Sequence, residues 1–237
     1  MTKDKHKIYN NVFDNYTNKV INQLFSSHII DEIVSPVSIG KEANVFTARK
    51  GEDVRILKIY RLQSCNFNEM YSYLISDPMY TNIKKNRRQI ILSWVQREFS
   101  NMNKSHEKFI NAPIPIYHKK HIILMSLIGN DRPAPMLKDK NPDDPKEFLE
   151  KIKKQIEKLL FEVKIVHGDL SAFNILNWDN EPYIIDFSQS TKINNPNWIE
   201  LLRRDLKNIE NYFSRKLSTE FDSKKYFKHL INNVERI

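Results

Sequence analysis

Apolar positions change their period along this chain, and the changes mark out strands and helices. Val20, Ile21, Leu24 and Phe25 recur at helical spacing, which predicts an amphipathic helix near the start. The largely apolar stretch 33–38 gives way to Gly40-Lys41-Glu42, which can turn, and 44–49 resumes a β-rich run. Lys50-Gly51-Glu52-Asp53 breaks that run, and 54–60 follows as a third strand with Val54, Ile56, Lys58 and Tyr60 on one face. Over 90–104 the period becomes helical: Ile91, Val95, Glu98 and Met102 form one stripe, with Trp94 beside them. Pro113-Ile114-Pro115 ends this part before a strand predicted over 121–127. Asp144-Pro145 has the cap and first-turn proline of a helix start, and Phe148, Leu149, Ile152, Ile156, Leu159 and Leu160 share one side of that helix. An apolar run over 174–178 reads as a strand, 179–182 as a turn and 183–185 as the returning strand. A helix over 197–213 turns Trp198, Leu201, Leu202, Leu206, Ile209 and Phe213 inward.

Two charged residues stand where this pattern calls for apolar ones. Lys58 lies mid-strand among apolar neighbours, so it is either a snorkelling edge residue or a buried charge with an anionic partner. Glu98 lies on the inward stripe of its helix and is the candidate partner. An uncompensated buried charge costs several kcal/mol, so such a lysine needs a carboxylate to hold it. Taken alone, Lys58 reads as snorkelling; beside the acidic loop downstream, it reads as a phosphate-binding lysine.

That loop is His167-Gly168-Asp169-Leu170-Ser171-Ala172-Phe173-Asn174, and the hairpin after it delivers Asp186 back beside it. Phosphoryl transfer needs a base or orienting acceptor for the attacking group, and hard oxygen ligands for one or two Mg²⁺ ions. Asp169 fits the first role; Asn174 and Asp186 fit the second. The alternative is a surface turn with a capping Asp and a hairpin Asn. The five-residue step from Asp to Asn, followed by a hairpin and a strand-ending Asp, favours the chemical reading.

On these residues the chain resembles the RIO family of atypical serine/threonine protein kinases, in the branch of the first Rio kinase. The matching stretches are Ser38-Ile39-Gly40-Lys41-Glu42-Ala43-Asn44-Val45-Phe46, Leu57-Lys58-Ile59-Tyr60-Arg61, 94–98, Leu124-Met125-Ser126-Leu127-Ile128-Gly129, Pro133-Ala134-Pro135-Met136-Leu137-Lys138-Asp139, 166–174 and Tyr183-Ile184-Ile185-Asp186-Phe187-Ser188-Gln189-Ser190. They span roughly residues 20–215. The Gly-Lys-Glu-Ala-Asn and Asp-Phe-Ser-Gln-Ser segments are specific to that branch, whereas aminoglycoside and choline kinases share the His-Gly-Asp loop.

The resemblance implies an α+β, bilobal protein-kinase-like fold, with a β-rich N-lobe over 1–128 and a mainly helical C-lobe over 129–237. It implies ATP and Mg²⁺, with Mn²⁺ as a substitute metal. Ser38, Gly40, Lys41, Ala43, Asn44 and Val45 would form or flank the phosphate loop. Lys58 would bind phosphates, and Glu98 would hold Lys58. Met125, Ser126 and Ile128 would give backbone groups to adenine. Asp169 would be the catalytic acid–base residue, and Asn174 and Asp186 the metal ligands. Asp186 would also be the residue able to accept phosphate in an ATPase-like cycle. The family acts in cytoplasmic maturation of the small ribosomal subunit, so the implied partners are a pre-ribosomal particle and its rRNA, in the cytoplasm. The sequence departs from the family at Ser126, where an acidic residue is usual, and at Ala172-Phe173, where Glu-Tyr is usual. Long flanking tails are absent, so no tail-dependent regulation is assumed.

Composition agrees with this reading. The 237 residues suffice for one bilobal domain, and a net charge of +9 suits contact with RNA phosphates as well as ATP. Cys65 is the only cysteine, which excludes an intrachain disulfide. No stretch approaches the ~20 apolar residues of a membrane span. Residues 63–89 read as a long, flexible insertion ending in Lys84-Lys85-Asn86-Arg87-Arg88, either a solvated charge run or an RNA contact. Residues 187–237 are short for an activation segment and peptide-docking helices, and they lack an A-P-E signature. Two other classes stay open. A small-molecule phosphotransferase would need an inserted substrate pocket after Asp186. A non-catalytic RNA-binding assembly factor would have lost Lys58, Asp169 or Asp186.

Overall fold

The computed structural model describes residues 13–77, 80 and 83–234. Among the described residues the first helix, α1 (Asn15–Ser26), is capped by Asp14, whose carboxylate accepts from the Thr17 amide at 2.7 Å. Three antiparallel strands come after it: β1 (Glu32–Ile39), β2 (Ala43–Lys50) and β3 (Asp53–Tyr60). Helices α2 (Phe67–Ile75) and α3 (Arg87–Glu107) come next, then β4 (Pro115–Lys119) and β5 (Ile122–Ser126). The five strands form one sheet in the order β1-β2-β3-β5-β4.

Strand alternation gives this sheet two different faces. Leu57 and Ile59 of β3 join Phe46, Ala48, Ile122 and Leu124 in a core covered by Val20, Ile21 and Leu24 of α1. Ile56, Lys58 and Tyr60 face the other way, toward α3 and the cleft. On that side Tyr60, Ile123 and Met125 pack with Ile91, Trp94 and Val95 in a second core, which runs on into the helical lobe.

The lower lobe begins with α4 (Pro145–Lys158), where Asp144 caps the Lys146 and Glu147 amides and Pro145 occupies the first turn. A π turn (Leu159–Val163) ends at Lys164, which has a φ of 62°. Beyond it lie β6 (Ile165–Val166), the hairpin β7 (Ile175–Trp178)–β8 (Glu181–Ile184), β9 (Thr191–Lys192), and helices α5 (Trp198–Lys216) and α6 (Ser223–Val234). The architecture is a β-sheet lobe joined to a helical lobe. Between Asp186 and α5 lie a 3-10 turn (Phe187–Gln189) and the two-residue β9.

Several boundaries differ from the sequence reading. The turn expected over 179–182 is only Asp179-Asn180, both at positive φ (52° and 58°), and Glu181 and Pro182 pair in the strand. Segment 63–89, read as a flexible insertion, contains α2, whose Met70 and Leu74 are buried. Strand β1 is less buried than its apolar residues suggested: it is an edge strand, and Val34, Val37 and Ile39 stay exposed. Among the described residues, no helix is long and apolar enough to cross a membrane.

Candidate active site

Lys58 sits mid-β3, opposite Val45 on one side and Ile123 on the other. Its Nζ donates to Glu98 Oε1 at 2.7 Å and to Asp186 Oδ1 at 2.9 Å. Glu98 is 1% exposed and is held a second time by the Tyr60 hydroxyl, which donates to Oε2 at 2.5 Å. Burial alone would push the Lys58 ammonium down; the carboxylates of Asp186 and Glu98 more than reverse this and raise it above its ordinary value. Burial pushes Glu98 up, while Lys58 and Tyr60 pull it back. Asp186 is pushed up by burial but held down to about 2 by Lys58 and the Ser188 amide. The trio is therefore a buried lysine between two carboxylates. Removing one partner of such a group typically costs about 3–5 kcal/mol.

A cleft of about 390 Å³ opens between the lobes above Asp186. Ser38, Gly40, Lys41, Ala43 and Val45 line its roof, with Lys58 and Glu98 behind them. Met125, Ser126 and Ile128 form one wall, and Asn174 and Asp186 lie on the floor. In that wall the Ser126 amide donates to the Ile114 carbonyl at 2.8 Å, and the Ile128 carbonyl accepts from the Ala134 amide at 2.8 Å. Two of the backbone groups expected to meet adenine are thus already engaged. Asn44 is not among the lining residues. Ala43 and Val45, its neighbours in β2, both face the cleft, so period-two alternation turns Asn44 away. Asp169 also stands outside the cavity and reaches it through Asn174.

Asn174 is oriented by Asp169: its amide nitrogen donates to the Asp169 carbonyl at 2.8 Å and to Oδ2 at 3.0 Å. That spends the donor end and leaves the amide oxygen for the cleft. On Asp186, Lys58 and the Ser188 amide both use Oδ1, which leaves Oδ2. The two remaining oxygens are hard donors of the kind Mg²⁺ takes together with substrate phosphates. Asp186 holds this position at a φ of 63°, a conformation that costs a non-glycine residue strain. Burial and the nearby Asp186 charge push Asp169 up, while Arg204 and Asn174 counter them.

Three further residues set the loop, and the sequence reading did not single them out for this. Asp205 on α5 accepts from the Gly168 amide at 2.7 Å and the Leu170 amide at 2.8 Å, clamping the backbone on either side of Asp169. Its carboxyl is pushed up to about 7 by burial, against the pull of those two N–H groups. Arg204 donates to the Gly168 carbonyl and to Gln189 Oε1. Burial pushes His167 down to about 4, so its ring is neutral. Nδ1 accepts from the Asp169 amide at 3.3 Å, which fixes the proton on Nε2, where it is donated to the Ile185 carbonyl at 3.0 Å. Phe173 also lines the cleft, as a residue 62% exposed. Asp205 carried a readable signal, for it falls on the inward stripe of α5 three residues after Leu202 and four before Ile209.

Comparison with known proteins identifies the family. A sequence profile of the RIO domain matches residues 44–226. The RIO-type serine/threonine-protein kinase Rio1 of Methanocaldococcus jannaschii is 42% identical over 211 residues, covering 89% of this chain and 72% of that one. Rio1 of Haloferax volcanii is 35% identical, covering 90% of this chain and 73% of that one. Human serine/threonine-protein kinase RIO1 is 32% identical across 86% of this chain, which spans only 37% of that longer protein. Among solved structures, the Rio2 kinase–ADP/Mg²⁺–phosphoaspartate complex from Chaetomium thermophilum superposes with a TM-score of 0.70 at 23% identity. That match covers 90% of this chain and 65% of the other. At that identity the likeness is one of fold.

Proposed function

The chain belongs to the RIO family of atypical serine/threonine-protein kinases, and we propose that it uses ATP and Mg²⁺ at the Lys58–Glu98–Asp186 site to act in maturation of the small ribosomal subunit. The observation that carries the reading is Lys58 Nζ bridging two carboxylates at 2.7 and 2.9 Å beneath a phosphate-loop roof. Lys58 then neutralises nucleotide phosphates, Glu98 keeps it in place, and Met125 to Ile128 border the adenine. Asn174 and Asp186 hold Mg²⁺, which when bound supplies charge neutralisation on the transferring phosphoryl group. Asp169 orients the acceptor hydroxyl and takes its proton as the new O–P bond forms and the bond to the ADP oxygen breaks.

A second outcome at the same site has Asp186 Oδ2 meet the γ-phosphorus in place of Mg²⁺. That carboxylate attacks the γ-phosphorus, ADP leaves, and water later cleaves the acyl phosphate, so that the cycle amounts to ATP hydrolysis. The Rio2 relative was solved as a phosphoaspartate complex. Asp186 is the residue proposed for that role here. The partner is a cytoplasmic pre-ribosomal particle with its rRNA, which a chain of net charge +9 suits.

Asp169→Asn tests the assignment. Turnover should fall by about two to four decades, the usual loss for a positioned acid–base group, while ATP affinity changes little. In sucrose gradients of cell extract, wild type and variant should both co-migrate with small-subunit particles. Retained turnover would remove Asp169 from the chemistry, and absence of both proteins from the particles would remove the ribosomal role.

A further inference from the structure

The turn between β1 and β2 is held from behind by the segment just after β3. Arg61 Nη1 donates to the Gly40 carbonyl at 3.2 Å and Ser64 Oγ to the Lys41 carbonyl at 3.0 Å, while the Cys65 thiol, 3.2 Å from the Glu42 carbonyl, donates its one hydrogen to the Arg61 carbonyl at 2.6 Å. The Arg61 amide adds a bond to the Glu42 carbonyl at 2.8 Å. Three consecutive carbonyls are thereby occupied on the side of residues 61–65. A loop that receives phosphates has to offer N–H groups or cations, because a carbonyl dipole aimed at an anion repels it. Segment 61–65 therefore sets the orientation of the loop peptides as well as the loop's position.

That segment is gripped in turn by a basic cluster. Arg87 Nη1 donates to the Gln63 carbonyl at 2.5 Å, and its guanidinium lies 4.7 Å over the Phe67 ring at the start of α2. Arg87 and Arg88, with Asp14, Tyr16, Gln63 and Asn86, line an open cleft of about 630 Å³ between α1 and α3. The Arg88 guanidinium lies 4.0 Å over Tyr16, which itself stacks on His121. Stacking uses the face of the guanidinium and leaves its in-plane N–H donors for an anion. Lys84 and Lys85, three and two residues before Arg87 in the chain, are exposed, and the Lys85 ammonium lies 5.5 Å over the Tyr71 ring. Among the described residues, none of these four cations has a carboxylate within 4.0 Å. Asp14, the one carboxylate lining the cleft, is engaged in capping α1.

We propose that this cleft binds the phosphate backbone of single-stranded RNA, and that its occupancy is coupled through Arg87, Gln63 and residues 64–65 to the phosphate loop. The inference rests on the RNA-directed role proposed above and supplies its surface and its consequence. A phosphate offers Arg87 a charged, bidentate acceptor in place of the neutral Gln63 carbonyl. Arg87 releases Gln63, the tether on the three carbonyls loosens, and nucleotide affinity falls. Linkage then requires bound nucleotide to weaken RNA binding by the same factor. RNA and ATP oppose each other without sharing a site.

The test uses the full chain, a single-stranded uridine oligonucleotide and a non-hydrolysable ATP analogue with Mg²⁺. Saturating oligonucleotide should raise the analogue's Kd by about five-fold or more, within the usual range for coupled sites. Arg88→Gln should weaken oligonucleotide binding and flatten its salt dependence while leaving analogue affinity in the free protein unchanged. Ser64→Ala should leave oligonucleotide affinity intact in nucleotide-free protein, yet shrink the coupling factor. If the analogue binds and the oligonucleotide does not, the RNA-directed role fails and the inference with it. Undiminished oligonucleotide binding in Arg88→Gln leaves RNA binding standing but places it elsewhere, which overturns the cleft. Equal analogue affinity with and without bound oligonucleotide overturns the coupling. Displacement of the oligonucleotide by poly-glutamate at equal charge concentration would assign the cleft to acidic protein segments instead.

Discussion

Asp186 serves two partners with its two oxygens: Oδ1 answers Lys58, and Oδ2 is left for the cleft. Removing the side chain takes away a metal donor but no adenine contact, so Asp186→Ala should weaken nucleotide binding much more with Mg²⁺ than without it. Calorimetry under the two conditions decides this, and equal losses would deny Asp186 a ligand role. If a phosphoenzyme accumulates, hydroxylamine should discharge it when the phosphate is on Asp186 and leave it intact when it is on serine. Asp205 acts one step further out, through the backbone of residues 168–170. Its carboxyl lies near 7 because burial resists its charge. Once protonated, one oxygen carries a hydrogen and one of the two amides loses its acceptor. Turnover should therefore rise as pH climbs through about 7, and Asp205→Asn should hold turnover at the low limb across that range. A wild-type rise in kcat for the variant would assign the limb to another group.

Among the elements, the β7–β8 hairpin decides where Asp186 arrives, and its turn is the least forgiving part. Asp179 and Asn180 both adopt left-handed backbone, the two-residue turn that matches strand twist. Asp179 is exposed and can be exchanged without disturbing the core. Asp179→Val should cost about 1–2 kcal/mol, because a β-branched side chain loses the local polar contacts that let Asp adopt this region, and Asp179→Gly should cost little. Urea denaturation reads the difference, and equal midpoints for the two variants would mean that the turn relaxes freely. This hairpin also shows how far the sequence could be read. The apolar runs on both sides were plain, but Pro182 drew the turn two residues too long, since a proline in a two-stranded hairpin can sit on the unpaired edge and keep its place in the ladder. Helices α2 and α6 stayed hidden because each rests on few buried side chains, Met70 and Leu74 in one, Tyr226 and Leu230 in the other. Glu98 was legible because a charge on an apolar stripe needs a partner. Asp205 sits on its own stripe in the same way, but its partners are backbone amides, which no sequence pattern names.

Across the whole molecule, each lobe buries a neutral histidine. His121 lies beneath α1 with Nε2 2.9 Å from the Thr17 hydroxyl, and His167 lies in the lower lobe against Phe187. Burial pushes both down to about 4. An unfolded histidine protonates near 6.5, so below that pH the unfolded chain binds more protons than the folded one. Stability should then fall as pH drops from about 6.5 toward 4, by up to about 3 kcal/mol for each histidine over the full window. Asp205 runs the other way. Its raised value means that the folded state gains stability as pH falls from about 7 toward 4, so the net loss should be smaller than the two histidines alone would give. Urea midpoints measured between pH 7 and 5 should decline. His121→Asn, which removes the titration from the upper lobe, should make that decline shallower even if it lowers the midpoint at pH 7. A slope identical to wild type would show that His121 titrates in the folded protein as it does in the unfolded chain, and that the core under α1 admits its charge.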